Sequence, residues 1–118
     1  MRVKVGFALF GLVILTAGCH AGRDAPVIIE YWVTGTAPMV SVEYAAADQG
    51  VTRAIHRDLP WEYDFGADSS TRFLSVSAQN EQDYGTVTVK ILANHKVVMT
   101  KTDSGPYVTV TASTMWPY

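Results

Sequence analysis

The sequence contains a single cysteine, Cys19, among its 118 residues. One thiol excludes a disulfide within the chain, so the fold has to be stable without the bridges common in small secreted domains. The three histidines, His20, His56 and His95, have no metal-ligand spacing with each other or with the cysteine. Glycine-rich phosphate loops and the G-x-S-x-G nucleophile motif are also missing. We therefore predict no metal, no cofactor and no nucleotide or hydrolase site.

The sequence also has no excess of basic residues over acidic ones. The chain has nine Lys and Arg residues against eleven Asp and Glu residues. If Arg2 and Lys4 are removed with an N-terminal signal, seven basic residues remain and the net charge is about −4. Nucleic acid and anionic lipid headgroups both attract basic patches, so this balance argues against nucleic acid as a partner.

No apolar run is long enough to span a membrane comfortably. Arg2 and Lys4 precede an uncharged run at residues 5–15, well below the roughly 20 residues of a spanning helix. A basic start, a short apolar core and the small residues 16–18 are typical of a secretory signal peptide. We predict a signal at residues 1–18 and an extracytoplasmic location for the rest of the chain.

Cys19 follows this signal directly. Residues 15–19, LTAGC, resemble the lipobox of bacterial lipoproteins, whose cysteine receives a diacylglyceryl group and becomes the new N-terminus, although Thr16 stands where leucine is most usual. Two acyl chains would anchor the protein firmly to the membrane, with residues 19–26 as a short tether. Two alternatives remain open: residues 5–18 could be an uncleaved anchor, or Cys19 could be an unmodified residue near an ordinary cleavage site.

Beyond Pro26 the sequence consists of short segments rich in Val, Ile, Thr and Tyr, separated by turn residues. Several strands spaced 8 to 12 residues apart are typical of an antiparallel sandwich. We predict an all-β, Ig-like sandwich of about seven or eight strands at residues 27–113, followed by a tail at 114–118. The predicted strands are 27–34, 39–46, 51–57, 61–65, 72–78, 86–92, 96–101 and 107–112.

Alternation along these segments assigns side chains to faces. It places Val89 and Ala112 among the inward residues, and it makes Trp61 and Phe65 candidate core anchors. Trp32, Trp116 and Tyr118 are the candidates for an exposed patch that contacts a partner or ligand. Glu62 and Asp64 share a strand face as paired carboxylates do in glycosidases, but such enzymes need a deep cleft, and we predict that the protein is not an enzyme.

The order of the segments resembles the MmpS family of small mycobacterial membrane proteins over residues 27–113. The similarity is carried by EYWVTGTA at 30–37, the strand at 40–44, LPW at 59–61, SAQN at 77–80, and the segments at 85–92, 96–98 and 102–110. Members have a membrane-tethered β-sandwich outside the cytoplasmic membrane and act as accessory proteins of MmpL transporters, which export lipids and siderophores. The resemblance therefore implies a lipid-anchored adaptor whose partner is an MmpL-like transporter.

The chain departs from that family in two ways. Its apolar run ends in a lipobox where members usually have a transmembrane helix. Members also commonly carry cysteines at the positions of Val89 and Ala112, and their joint replacement here substitutes two apolar side chains for a buried bridge. Two other functions remain open: a lipid or small-molecule carrier with an apolar cavity, and a surface adhesion or carbohydrate-binding module that stacks ligands on Trp32 or Trp116.

Overall fold

The computed structural model describes residues 26–117, so the predicted signal, Cys19, most of the predicted tether and Tyr118 lie outside the described residues. Residues 26–117 form eight strands and contain no helix long and apolar enough to cross a membrane. The strands are β1 (Ile28–Thr34), β2 (Val40–Ala45), β3 (Val51–Arg57), β4 (Trp61–Gly66), β5 (Phe73–Asn80), β6 (Thr86–Ala93), β7 (Lys96–Ser104) and β8 (Thr109–Met115).

The strands form two four-stranded sheets in which every pairing is antiparallel. Sheet one has the order β4-β1-β6-β7, and sheet two has the order β3-β2-β5-β8. Only the β2–β3 and β6–β7 connections are hairpins within one sheet, and the other connections cross between sheets. The predicted all-β sandwich is therefore confirmed, with eight strands.

The β6–β7 hairpin illustrates how local sequence produces this fold. Its two-residue turn consists of Asn94 and His95, with φ angles of 48° and 69°. Two successive positive φ angles are characteristic of the type I′ turn, whose twist matches that of the flanking strands. Asn94 also accepts a 2.9 Å hydrogen bond from the main-chain N–H of Ile28, which ties the turn to β1.

The core lies between the inward faces that alternation defines. Val89 in β6 and Ala112 in β8 belong to opposite sheets, and both are fully buried in the same hydrophobic cluster. Burying one such aliphatic side chain contributes about 1.5–3 kcal/mol, so the cluster supplies much of the stability. Its other fully buried aliphatic members are Ile29, Val33, Val40, Val42, Leu74, Val76, Ala78, Val87 and Ile91.

Three strands extend two or three residues beyond their predicted ends. β5 continues to Asn80, β7 to Ser104 and β8 to Met115. The sandwich thus reaches two residues past the predicted domain end at 113, because Met115 still pairs with Phe73.

Two glycines allow the connections at one end of the sandwich to pack together. Gly35 and Gly85 have φ angles of 135° and 113°, a region that L side chains rarely adopt. A Cβ at Gly85 would lie 2.6 Å from Ala37 Cα, and one at Gly35 would collide with the carbonyl of Thr86. A 3.0 Å hydrogen bond from the Ala37 N–H to the Thr86 carbonyl holds these two segments together.

Candidate functional site

Trp32 lies on the solvent side of sheet one, in the central strand β1. Residues Ile29, Tyr31 and Val33 of the same strand are fully buried, so period-two alternation turns Trp32 outward. Its neighbours across the sheet are Glu62 of β4 and Lys90 of β6. Trp32 is half-buried, and its two cross-strand neighbours carry opposite charges.

Apolar side chains accompany Trp32 on this outer face. Leu92 pairs with both Glu30 and Val97, and it is only 6% exposed although it points away from the core. Val97 is 52% exposed and Ile28 is 38% exposed. We call the surface formed by Ile28, Glu30, Trp32, Lys90, Leu92 and Val97 the Trp32 face.

Two polar atoms of the Trp32 face are buried without a hydrogen bond among the described residues: Trp32 Nε1 and Glu30 Oε1. Glu30 Oε1 lies 3.2 Å from Nδ1 of the exposed His95, without the alignment of a hydrogen bond. An unsatisfied buried donor or acceptor costs about 1–3 kcal/mol. The Trp32 face therefore differs from the rest of the sheet in holding buried polar atoms that lack hydrogen-bond partners among the described residues.

The acidic pair on β4 lies beside this surface. Glu62 and Asp64 are exposed on the outer face, where they oppose Trp32 and Glu30. They lie on an open strand surface and not across a cleft.

The opposite face of β4 carries an aromatic cluster. Trp61, Tyr63 and Phe65 are half-buried and pack against the margin of the core. The ring centroids of Tyr44 and Tyr63 are 4.5 Å apart, and those of Tyr31 and Phe65 are 5.4 Å apart in an edge-to-face arrangement. Such pairs are worth about 0.5–1.5 kcal/mol beyond their burial, so this cluster joins edge strand β4 to both sheets.

The remaining predicted contact residues do not join the Trp32 face. Trp116 is half-buried and packs against the core, and its main-chain N–H bonds to the Arg72 carbonyl at 2.8 Å. Tyr118 and the predicted lipidation site Cys19 lie outside residues 26–117.

A second polar arrangement surrounds Glu81, which the sequence patterns did not single out. Its carboxylate accepts hydrogen bonds from Ser41 Oγ at 2.6 Å and from the main-chain N–H of His56 at 3.0 Å. His56 Nδ1 lies 2.6 Å from the other carboxylate oxygen. The bond from Ser41, followed by those from His56, lowers the pKa of the Glu81 carboxyl below its usual value.

This arrangement stabilises a bulge in edge strand β3. The register between β2 and β3 shifts between Val40 and Val42, and His56 has a φ of 56°. Because Glu81 receives its donors from the bulge and from β2, its role is structural. Ser41 donates to a carboxylate here, so its hydroxyl is not paired with a histidine base as in a hydrolase.

Shallow depressions lie on the outer face of sheet two. One, of about 100 Å³, is lined by Ser41, Val42, Glu43, Arg53, Ser77, Gln79 and Thr109, and another, of about 120 Å³, adjoins it at Glu43 and Ser77. Ligand pockets typically enclose roughly 300–1,000 Å³, so neither depression has room for an acyl chain.

Within residues 26–117, no three His, Cys, Asp or Glu side chains are grouped so as to hold a metal ion.

In comparisons with protein-family models and with curated proteins, the chain matches none.

Proposed function

We propose that this protein is a non-catalytic adaptor domain, anchored outside the cytoplasmic membrane through Cys19, that serves an MmpL-like export transporter for lipids or siderophores. The segment order at residues 27–113 supports this proposal through its resemblance to the MmpS family. The eight-stranded sandwich is the architecture that the resemblance implies.

The observation that carries the proposal is the Trp32 face. A tryptophan on the solvent side of a central strand, on the same face as Leu92 and the exposed Val97, has little structural reason to be there. Tryptophan is enriched among the residues that dominate protein–protein binding energy, and such residues are surrounded by contacts that exclude water from them. Glu62 and Lys90, the cross-strand neighbours of Trp32, can supply such contacts.

The anchor would make weak contacts sufficient. A domain tethered at the membrane surface meets an integral membrane partner at a high effective concentration, so a modest patch can maintain the complex. The chain's acidic balance is compatible with this role, since the attachment would rest on acyl chains and not on basic residues.

Co-purification tests the adaptor role. The full chain is tagged, co-expressed with a candidate MmpL-like transporter, and isolated from solubilised membranes. We expect the transporter to copurify with the wild type and to be reduced at least tenfold with Trp32→Ala. Tyr84→Ala, which removes an aromatic side chain that is 60% exposed and lies away from the Trp32 face, is the matched control and should retain the transporter. Equal recovery with Trp32→Ala and Tyr84→Ala would contradict the assignment of this face.

Mass spectrometry of the same membrane fraction tests the anchor separately. We expect an N-terminus at Cys19 that carries a diacylglyceryl group. An unmodified Cys19, or a chain that retains Met1, would contradict lipid anchoring whatever the pull-down shows.

A further inference from the structure

We propose that strand β8 (Thr109–Met115) is a self-association edge, at which two copies of this chain pair antiparallel and join their second sheets into one continuous sheet. The proposal does not depend on the transporter.

The main-chain groups of β8 point in two directions. Trp116 N–H bonds to the Arg72 carbonyl, and Asn80 N–H bonds to the Val108 carbonyl. In an antiparallel ladder, hydrogen-bonded pairs alternate, so even-numbered residues of β8 bond to β5. The N–H and C=O groups of Thr109, Thr111, Ser113 and Met115 therefore point away from β5, where no other described strand pairs with them.

The other three edge strands carry features that discourage such pairing. β3 has the His56 bulge, β4 carries Glu62 and Asp64, and β7 has a register irregularity beside Leu92 as well as Lys96 and Lys101. Bulges and charged side chains are the usual protection of sheet edges.

β8 has neither kind of protection. Its sequence, TVTASTM, contains no charge and no proline, and its register with β5 is regular. Its neighbour β5, FLSVSAQN, is also uncharged, whereas each of the other six strands has at least one Asp, Glu, Lys or Arg. An acidic chain can thus meet its own copy here without placing like charges opposite each other.

The strand is also complementary to itself. In a twofold pairing centred on Ala112, Thr111 of one copy opposes Ser113 of the other, and Thr109 opposes Met115. All four of these residues have outward-pointing main-chain groups, so both strands can exchange their hydrogen bonds. Lys101 and Asp103 of the adjacent β7 have opposite signs and add no net charge beside this edge.

A pairing of seven-residue strands is small compared with the roughly 1,600 Å² of a standard interface, so we expect weak association in dilute solution and stronger association for anchored copies. The full chain is purified in detergent, and its mass is measured by sedimentation over a wide concentration range. We expect the protein mass to rise toward twice the monomer value.

Ser113→Pro is the decisive variant, because it removes an N–H that points away from β5 and so spares the ladder within the sheet. Ser113→Ala keeps this N–H and is the matched control. We expect at least a tenfold weaker association for Ser113→Pro and wild-type behaviour for Ser113→Ala. A wild type that stays monomeric, or a folded Ser113→Pro variant that dimerises as the wild type does, would overturn the proposal.

Cross-linking provides a second test that does not require the proline variant to fold. The double variant Thr111→Cys/Ser113→Cys should form an intermolecular disulfide under mild oxidation, since these positions oppose each other across the twofold axis. Thr100→Cys/Thr102→Cys places the same pair on the protected edge β7 and is the control, and the wild type reports any contribution of Cys19. Cross-linking no higher than in the β7 control would overturn the proposal.

Discussion

The hydroxyl of Tyr31, in sheet one, donates a 2.7 Å hydrogen bond to the main-chain carbonyl of Ala45, in sheet two. The same hydroxyl accepts a 3.2 Å hydrogen bond from the main-chain N–H of Ser75. The register of β2 with β5 would place Ala45 opposite Ser75, so the phenol occupies the place of a ladder hydrogen bond between them. One buried side chain therefore joins the two sheets and satisfies two main-chain groups.

Tyr31→Phe should destabilise the protein by about 1–3 kcal/mol, because it leaves a buried carbonyl and N–H without their partner. Urea unfolding followed by tryptophan fluorescence would measure the loss. Tyr107→Phe, at a tyrosine that is 58% exposed, is the control and should change stability little. Equal effects of the two variants would contradict the structural role of the Tyr31 hydroxyl.

The stability of the wild type should also fall at high pH. Burial raises the pKa of Tyr31 from 10.0 to about 12, an effect only partly offset by the bond from Ser75. Between these values the unfolded chain has lost the phenolic proton while the folded chain retains it, so stability falls as pH rises, by up to roughly 1.4 kcal/mol per pH unit. Tyr31→Phe should remove this contribution. The same slope in both proteins, measured by urea unfolding from pH 9 to 12, would contradict the assignment.

Asn80→Ala should cost about 3 kcal/mol, because Asn80 is fully buried and its amide bonds to two separate connections. Its Nδ2 donates to the carbonyls of Tyr84 and Gly105, and its Oδ1 accepts from the N–H of Gln82. Gln79→Ala changes the exposed neighbour and should cost less than about 0.5 kcal/mol. Calorimetry of both variants is the measurement, and similar melting temperatures would contradict the prediction.

Glu81→Gln should reduce the acid sensitivity of the protein. Because the Ser41 and His56 bonds lower the folded-state pKa of Glu81, its stabilising contribution is present above the usual carboxyl pKa and is lost as pH falls through the folded-state value. The wild type should thus lose more stability than Glu81→Gln between neutral pH and acid. Urea midpoints at a series of pH values would test this, with Glu43→Gln, at a glutamate exposed on β2, as control. A wild-type acid slope in Glu81→Gln would count against the prediction.

Gly85→Ala should destabilise the sandwich more than Gly105→Ala. Both glycines have φ angles near 120°, so both variants introduce backbone strain, but only the Gly85 methyl would collide with Ala37. We expect the difference to exceed about 1 kcal/mol, because the collision is with main-chain atoms that cannot move without opening the connection. Thermal unfolding of the two variants measures it, and equal melting temperatures would show that the connection yields easily.

The strands could be predicted because their signals are local. Alternation at β6 and β8 identified Val89 and Ala112 as inward residues, and both are fully buried. Trp61 and Phe65 are less deeply buried than core anchors would be, since β4 proves to be an edge strand with one open side. Period two indicates which way a side chain points, but not whether another strand will cover it.

The hydrogen bonds between side chains in the connections and distant strands could not be predicted in the same way. Gln49 donates from Nε2 to the Phe73 carbonyl, and its Oε1 accepts from the N–H of Phe73, which lies 24 residues later in the chain. Its carboxamide therefore makes the two hydrogen bonds that the main chain of a neighbouring strand would make. In the sequence, Gln49 is only one residue of a turn, DQG. Similarly, nothing local connects Glu81 with Ser41, which lies 40 residues earlier in the chain.

The sequence by itself determined the type and approximate number of the elements, the turns between them and the inward residues of strands such as β6 and β8, because these depend on neighbours a few residues apart. The tertiary structure decided the strand order. That order placed Trp32 and Leu92 on the same outer face and left β8 without a described partner on one side. The tertiary structure also placed the Tyr31 hydroxyl between Ala45 and Ser75. The physical reason is that strand order and cross-sheet hydrogen bonds depend on how distant segments pack together, and no local period encodes that choice.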